Sequence, residues 1–278
     1  MKKGTISKLV AASVLACAAS ASQAALVDVW NYSVDMAWVT SATQFSSSTN
    51  PNSDPFRSST VLSWGYKNGL GGYEAPIGSD ARFNRSSLVI THPNGTGAIS
   101  SNDSVEMVNM FRHTNNAIDG SFAALTETTL RVSVDLTPQG SSVPVETLTK
   151  DFKIFFWETP NVGGTCGWGN CDNDLFAFVV MPEIFDVFTY GGYSYTFNYF
   201  QTSGPNAITQ FSADVCGQIS GGKLTTSCYG FQTAESARTS LQFGFSITAV
   251  PEPETYAMML AGLAMVGTVV RRRKALRK

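Results

Sequence analysis

Apolar and polar residues alternate one by one along most of this chain. Trp30, Tyr32, Val34, Met36 and Trp38 are interleaved with Asn31, Ser33, Asp35 and Ala37. Leu130, Val132, Val134 and Leu136 repeat the pattern, as do Phe152, Ile154 and Phe156, and again Leu241, Phe243, Phe245 and Ile247. Period two turns every second side chain to one face, so each segment reads as a strand with one side buried. Phe185–Tyr190, Gly191-Gly192 and Tyr193–Phe200 read as a hairpin, because paired glycines supply the positive φ angles that a two-residue turn needs. Further strands are expected near Thr60–Tyr66, Ser86–Thr91, Val105–Phe111 and Leu175–Met181. About ten to twelve strands and no convincing amphipathic helix predict an all-β antiparallel β-sandwich over residues 25–249. Glu235–Leu241 is read as one short helical turn. With 14% charged and 12% aromatic residues in 278, the chain is neither disordered nor a coiled coil.

The two ends depart from this pattern. Lys2, Lys3 and Lys8 precede an apolar run from Leu9 to Ala19 and small residues through Ala24, the layout of a signal peptide over residues 1–24. Ser22 and Ala24 occupy the −3 and −1 positions of a signal-peptidase site, which makes Ala25 the first mature residue. Val14-Leu15-Ala16-Cys17 offers a lipoprotein-box alternative, but the Ser22/Ala24 site is better formed. The secretion translocon and signal peptidase are therefore expected partners. At the other end, Thr255–Val270 are sixteen residues without a charge, closed by Arg271, Arg272, Arg273 and Lys274. As a helix this stretch would be about 24 Å long, against a hydrocarbon core of ~30 Å, and snorkelling arginines make up the difference. A positive flank stays cytoplasmic, so the body points outward. Residues 25–250 hold ten basic against nineteen acidic residues, a balance of −9 that argues against nucleic acid as a partner.

Val250-Pro251-Glu252-Pro253-Glu254 stands immediately before the apolar stretch. A Pro-Glu-Pro triplet (Pro251, Glu252, Pro253), one short apolar helix over 255–270 and an Arg-rich end (Arg271, Arg272, Arg273) resemble the PEP-CTERM sorting signal of Gram-negative bacteria, which would make residues 250–278 a sorting tail. The resemblance implies recognition and processing of the tail by an exosortase. It further implies an inner-membrane intermediate with a periplasmic body, then delivery to the outer surface or extracellular matrix. Producers of such proteins commonly make exopolysaccharide, so a structural or adhesive role in a biofilm matrix is the expectation. Two prolines lack amide donors and resist helix and sheet, which suits an accessible extended strip. A permanent single-span anchor is the competing reading.

Within the body, Phe111-Arg112-His113-Thr114-Asn115-Asn116-Ala117-Ile118, followed by Gly120–Leu125, is similar to the segment that names the THxN family of PEP-CTERM proteins. Arg112 stands where the family name has Thr, and a literal Thr91-His92-Pro93-Asn94 lies upstream as an alternative copy. Both histidines sit in stretches rich in Asn, Gly and Thr and are read as turn-like, with His113 and Asn115 tying a loop to its own backbone.

An oxidising compartment favours disulfides. Cys166 and Cys171 bracket one glycine-rich loop, and Cys216 and Cys228 another. Of three possible connectivities the local one is expected. A four-Cys zinc site competes, although the second pair is spaced too widely for it. No metal-protease, nucleophile-elbow or phosphate-loop motif occurs, so no enzyme and no cofactor are expected. Asp172 and Asp174 form a weak Ca²⁺ candidate. Trp64, Tyr66, Trp157, Trp168 and the Tyr190–Tyr199 series could stack on sugars, which keeps a carbohydrate-binding module open as an alternative function. Nineteen acids keep a secreted hydrolase open as a third.

Overall fold

The computed structural model describes residues 26–67, 85–102, 106–179, 184–202, 208–251 and 260–268. The chain divides into two compact units: a large one of Val29–Asp186 and Thr196–Thr248, and a small one of Met1–Asp28, Val187–Tyr195 and Ala249–Lys278. The expected signal peptide and its Ala24/Ala25 junction lie outside the described residues.

Two antiparallel sheets make up the fold. In the first, the order is β15 (Thr209–Phe211), β16 (Cys228–Thr233), β12 (Asp174–Phe178), β9 (Glu146–Trp157), β8 (Leu125–Pro138), β1 (Val29–Trp38) and β6 (Asn94–Ser100), with β2 (Gln44–Phe45) also pairing β8. In the second it is β13 (Ile184–Tyr190), β14 (Tyr193–Gln201), β17 (Ala237–Pro251), β7 (Glu106–Asn115), β5 (Arg85–His92), β4 (Val61–Gly65) and β3 (Phe56–Arg57). A separate ladder joins β10 (Thr165–Cys166) to β11 (Gly169–Asn170). The all-β expectation holds. Among the described residues there are seventeen strands against the ten to twelve expected, and the surplus consists of segments of two or three residues.

Alternation does what it predicts. Trp30, Val34, Met36 and Trp38 of β1 and Leu130, Val132, Val134 and Leu136 of β8 are all buried, and the two strands pair from Trp30↔Pro138 to Trp38↔Leu130. Rings from the two sheets meet in the middle of the large unit: Trp38 on Phe111 at 5.5 Å, Tyr32 on Phe245 at 4.9 Å, Phe152 on Tyr199 at 6.1 Å. Each large side chain buried there contributes roughly 1.5–3 kcal/mol. The hairpin also forms as expected, with Gly191 and Gly192 at φ +60° and +75°.

Two expectations are corrected. Glu235–Leu241 is not a helical turn, because β17 begins at Ala237. The helix lies instead at α1 (Ala213–Ile219), where Ser212 caps the first turn by accepting a hydrogen bond from the Val215 amide. Gly221 and Gly222, at φ +61° and +84°, take the chain away from its end. Val215, Cys216 and Ile219 pack on Phe155, Leu175 and Ala177, covering the outer face of the first sheet. This cover explains why β12 is buried on both faces and why Phe155 breaks the alternation of β9.

Disulfides join Cys166 to Cys171 across the β10–β11 ladder, and Cys216 of α1 to Cys228 of β16. The second bridge is buried and holds the helix on the sheet. Replacing Cys216 and Cys228 together by serine is expected to cost about 2–4 kcal/mol, through lost constraint on the unfolded chain. Urea unfolding measures it; an unchanged midpoint would show that the bridge adds nothing to α1 docking.

In the small unit, Phe188 stacks on Tyr195 at 5.3 Å, and the Tyr195 hydroxyl accepts a hydrogen bond from the Val27 amide at 3.0 Å. Residues 260–268 are helical, and Leu260, Leu263, Met265 and Val266 are exposed. Among the described residues, no helix is long and apolar enough to cross a membrane. The remainder of the 255–270 stretch lies outside them.

Candidate functional sites

His113 is not in a turn. It occupies a core position of β7, where Phe111, His113 and Asn115 all face inward and are wholly buried. Pairing to Leu88 of β5 on one side and Thr239 of β17 on the other fixes it in the middle of the sheet. The imidazole stacks on Trp64 at 5.8 Å and meets the edges of Phe156 and Phe176 at 5.6 and 4.6 Å. Its Nε2 lies 4.0 Å from Oδ2 of Asp174, the first residue of β12. Oδ1 of Asp174 accepts from the Thr159 amide at 3.1 Å. Glu158, just past β9, accepts from the Trp64 indole at 2.8 Å through Oε2, and its Oε1 is shut off from water although the residue as a whole is only half-buried. Glu235, in the turn before β17, likewise has one buried carboxyl oxygen without a hydrogen-bond partner.

Burial dictates the protonation of this cluster. It drives the His113 pKa down to about 3, leaving the ring neutral. It drives Glu158 up to about 8 against the counteracting bond from Trp64, with the Glu235 charge adding to the rise. Asp174 is pushed well up by burial and then by the neighbouring Glu158, and Glu235 is raised by burial too. With its imidazole neutral, His113 forms no salt bridge with Asp174 at 4.0 Å.

The asparagines beside His113 are ties between strands. Asn115 donates to the Thr233 carbonyl at 3.1 Å, and Asn116 donates to the Arg85 carbonyl at 2.8 Å while its own amide donates to Ser86 Oγ. In the alternative copy, Thr91 donates to the Met110 carbonyl at 3.2 Å, and His92 and Asn94 are exposed. Asp172 and Asp174 are not brought together: Asp172 is half-buried and accepts from the Gly163 amide, whereas Asp174 lies in the core. Among the described residues, no group of three or more His, Cys, Asp or Glu is arranged to hold a metal ion. Of the aromatics that could stack on sugars, Trp64, Tyr195 and Tyr199 are core, and Trp157 and Trp168 are half-buried edge to face at 5.2 Å. Tyr190 and Tyr229 are exposed. Sequence reasoning did not single out Tyr229 or the pairing of Glu158 with Trp64, the latter because the two residues lie far apart in the chain.

The C-terminal tail is a different kind of site. β17 runs without interruption from Ala237 to Pro251, the first residue of the Pro-Glu-Pro triplet, and it is an interior strand between β14 and β7. Pro251 is therefore itself part of the folded sheet, with no linker between the strand and the triplet. Glu252, Pro253, Arg271, Arg272 and Arg273 lie outside the described residues. No curated protein matches this chain. Residues 249–274 match the family model described as the PEP-CTERM protein-sorting motif, so the chain carries the signal of an exported, exosortase-sorted protein that passes through a membrane-anchored intermediate.

Proposed function

We propose that the β-sheet body is the cargo of this tail: a non-catalytic protein delivered to the surface of a Gram-negative cell, with a structural or adhesive role in a polysaccharide matrix. The match at residues 249–274 carries the reading. In this proposal residues 1–24 are removed between Ala24 and Ala25, the helix over 255–270 anchors the intermediate, and the THxN resemblance marks a body type built around His113, Asn115 and Asn116. Two features support a body without turnover. His113 and Asp174 are wholly buried inside the sheets, where no soluble substrate meets the imidazole. The asparagines of the motif spend their side chains on backbone ties.

The body carries about −9, so an acidic polymer would not hold it by charge. Contact would rest on hydrogen bonds and exposed rings such as Tyr190 and Tyr229, weak singly and strengthened by many copies on one polymer. Co-sedimentation of the mature protein with the producer's own polymer is expected to show retention that varies little between low and high salt. Reducing sugar released in that mixture would establish an enzyme, and no retention at any salt would remove the matrix role.

A further inference from the structure

We propose that the tip of the β13–β14 hairpin, Val187–Tyr195, rests in the interfacial layer of the bilayer that holds the sorting helix while the tail is processed. This rests on the sorting reading above.

The small unit gathers the hairpin tip, residues 26–28 and the end of β17. Ring contacts of Tyr199 with Phe243 and of Phe197 with Phe245 set β14 against β17, which brings the start of β14 level with Ala249–Pro251. From Pro251 to Thr255, where the apolar stretch begins, the chain has four residues and can span at most about 14 Å. When that stretch is in the membrane, the tip is leashed to the membrane surface. The expected signal-peptide junction lies a few residues before Val27, and Val27 is itself held by the Tyr195 hydroxyl. Both membrane-directed segments of the precursor therefore leave from this unit.

The chemistry of the tip suits that position. Val187-Phe188-Thr189-Tyr190-Gly191-Gly192-Tyr193-Ser194-Tyr195 contains no charge, and among the unit's described residues only Asp28 carries one. Val187 is 65% exposed, Tyr190 38% and Val250 50%, while Phe188 packs beneath on Tyr195. Tyrosine prefers the membrane–water boundary, where its ring is sheltered and its hydroxyl stays wet. Anionic lipid repels acidic surface, and the uncharged, aromatic tip is free of that repulsion.

The test uses the mature chain with its tail, disulfides intact, in vesicles of phosphatidylethanolamine and phosphatidylglycerol with brominated acyl chains. An environment-sensitive fluorophore is placed singly at Thr189→Cys on the tip, at Leu263→Cys in the helix and at exposed Val143→Cys as control. Bromolipid quenching is expected at 263 and 189 and not at 143. Adding Val187→Asp and Tyr190→Asp should abolish quenching at 189 and leave it at 263. Quenching at 263 without quenching at 189 would overturn the proposal and spare the sorting reading; no quenching at 263 would overturn both. Protection at 189 that follows protein density and not lipid bromination would assign the tip to contact between copies, and would also overturn it.

Discussion

Replacing Pro251-Glu252-Pro253 with three alanines is expected to leave nearly all of the protein full length in the inner membrane, whereas the native protein loses its apolar helix. The expectation comes from what the prolines do at this place in the fold. β17 is an interior strand, paired to β7 as far as Phe245 and continuing as strand to Pro251. Proline has no amide to give a sheet ladder and cannot enter a helix interior, so the triplet ends the strand and keeps the helix from starting. In the proposed sorting reading, the residues between strand and helix are what the exosortase would engage. Alanine has the highest helix propensity, and three of them would allow helix to extend back through positions 253 to 251. Membrane fractionation and the intact mass of the mature C-terminus read the result. Native and variant proteins of equal size in the same fraction would make the tail a plain anchor.

The strands were legible because alternation is local: β1, β8, β9 and β17 are each declared by their own residues. β6 was not, since Asn94-Gly95-Thr96-Gly97 has the composition of a turn. The reason lies across the sheet, where a Cβ on Gly97 would come within 2.6 Å of the Tyr32 hydroxyl. Gly230 in β16 has a similar reason, because a Cβ there would overlap the carbonyl oxygen of Phe176. Helix α1 was missed because seven residues are too few to display a period. The tail was the most readable part, being a linear signal whose order of triplet, apolar stretch and arginines survives without any fold. His113 was the least readable. Its spacing from Phe111 and Asn115 already placed it on the inward face of a strand, but its Thr and Asn neighbours have the composition of a loop. What makes a histidine tolerable there, namely Trp64, Phe156, Phe176 and Asp174, comes from three other strands.

That cluster sets the pH range in which the body is stable. In the native state Glu158 keeps its proton up to about pH 8, whereas the unfolded chain releases it near 4.5. The unfolded state thus binds fewer protons across this window, and stability falls as pH rises from about 4.5 to 8. Asp174 and Glu235, also raised, act in the same direction. His113 does the opposite on the acid side: the unfolded ring takes up a proton below 6.5 and the buried one resists until about 3, so stability falls as pH drops through that range. Stability should therefore be greatest where the two losses overlap, at mildly acidic pH. Glu158→Gln keeps the shape and the acceptor for the Trp64 indole while removing the proton. Between pH 5 and 8 the variant should lose less stability than the native protein, by on the order of 1 kcal/mol per pH unit for one group. His113→Phe, which suits the aromatic surroundings, should flatten the acid side only. Urea unfolding across pH 3–8 separates the two arms, and a Glu158→Gln protein with the native slope above pH 5 would show that this carboxyl is ionised in the folded state.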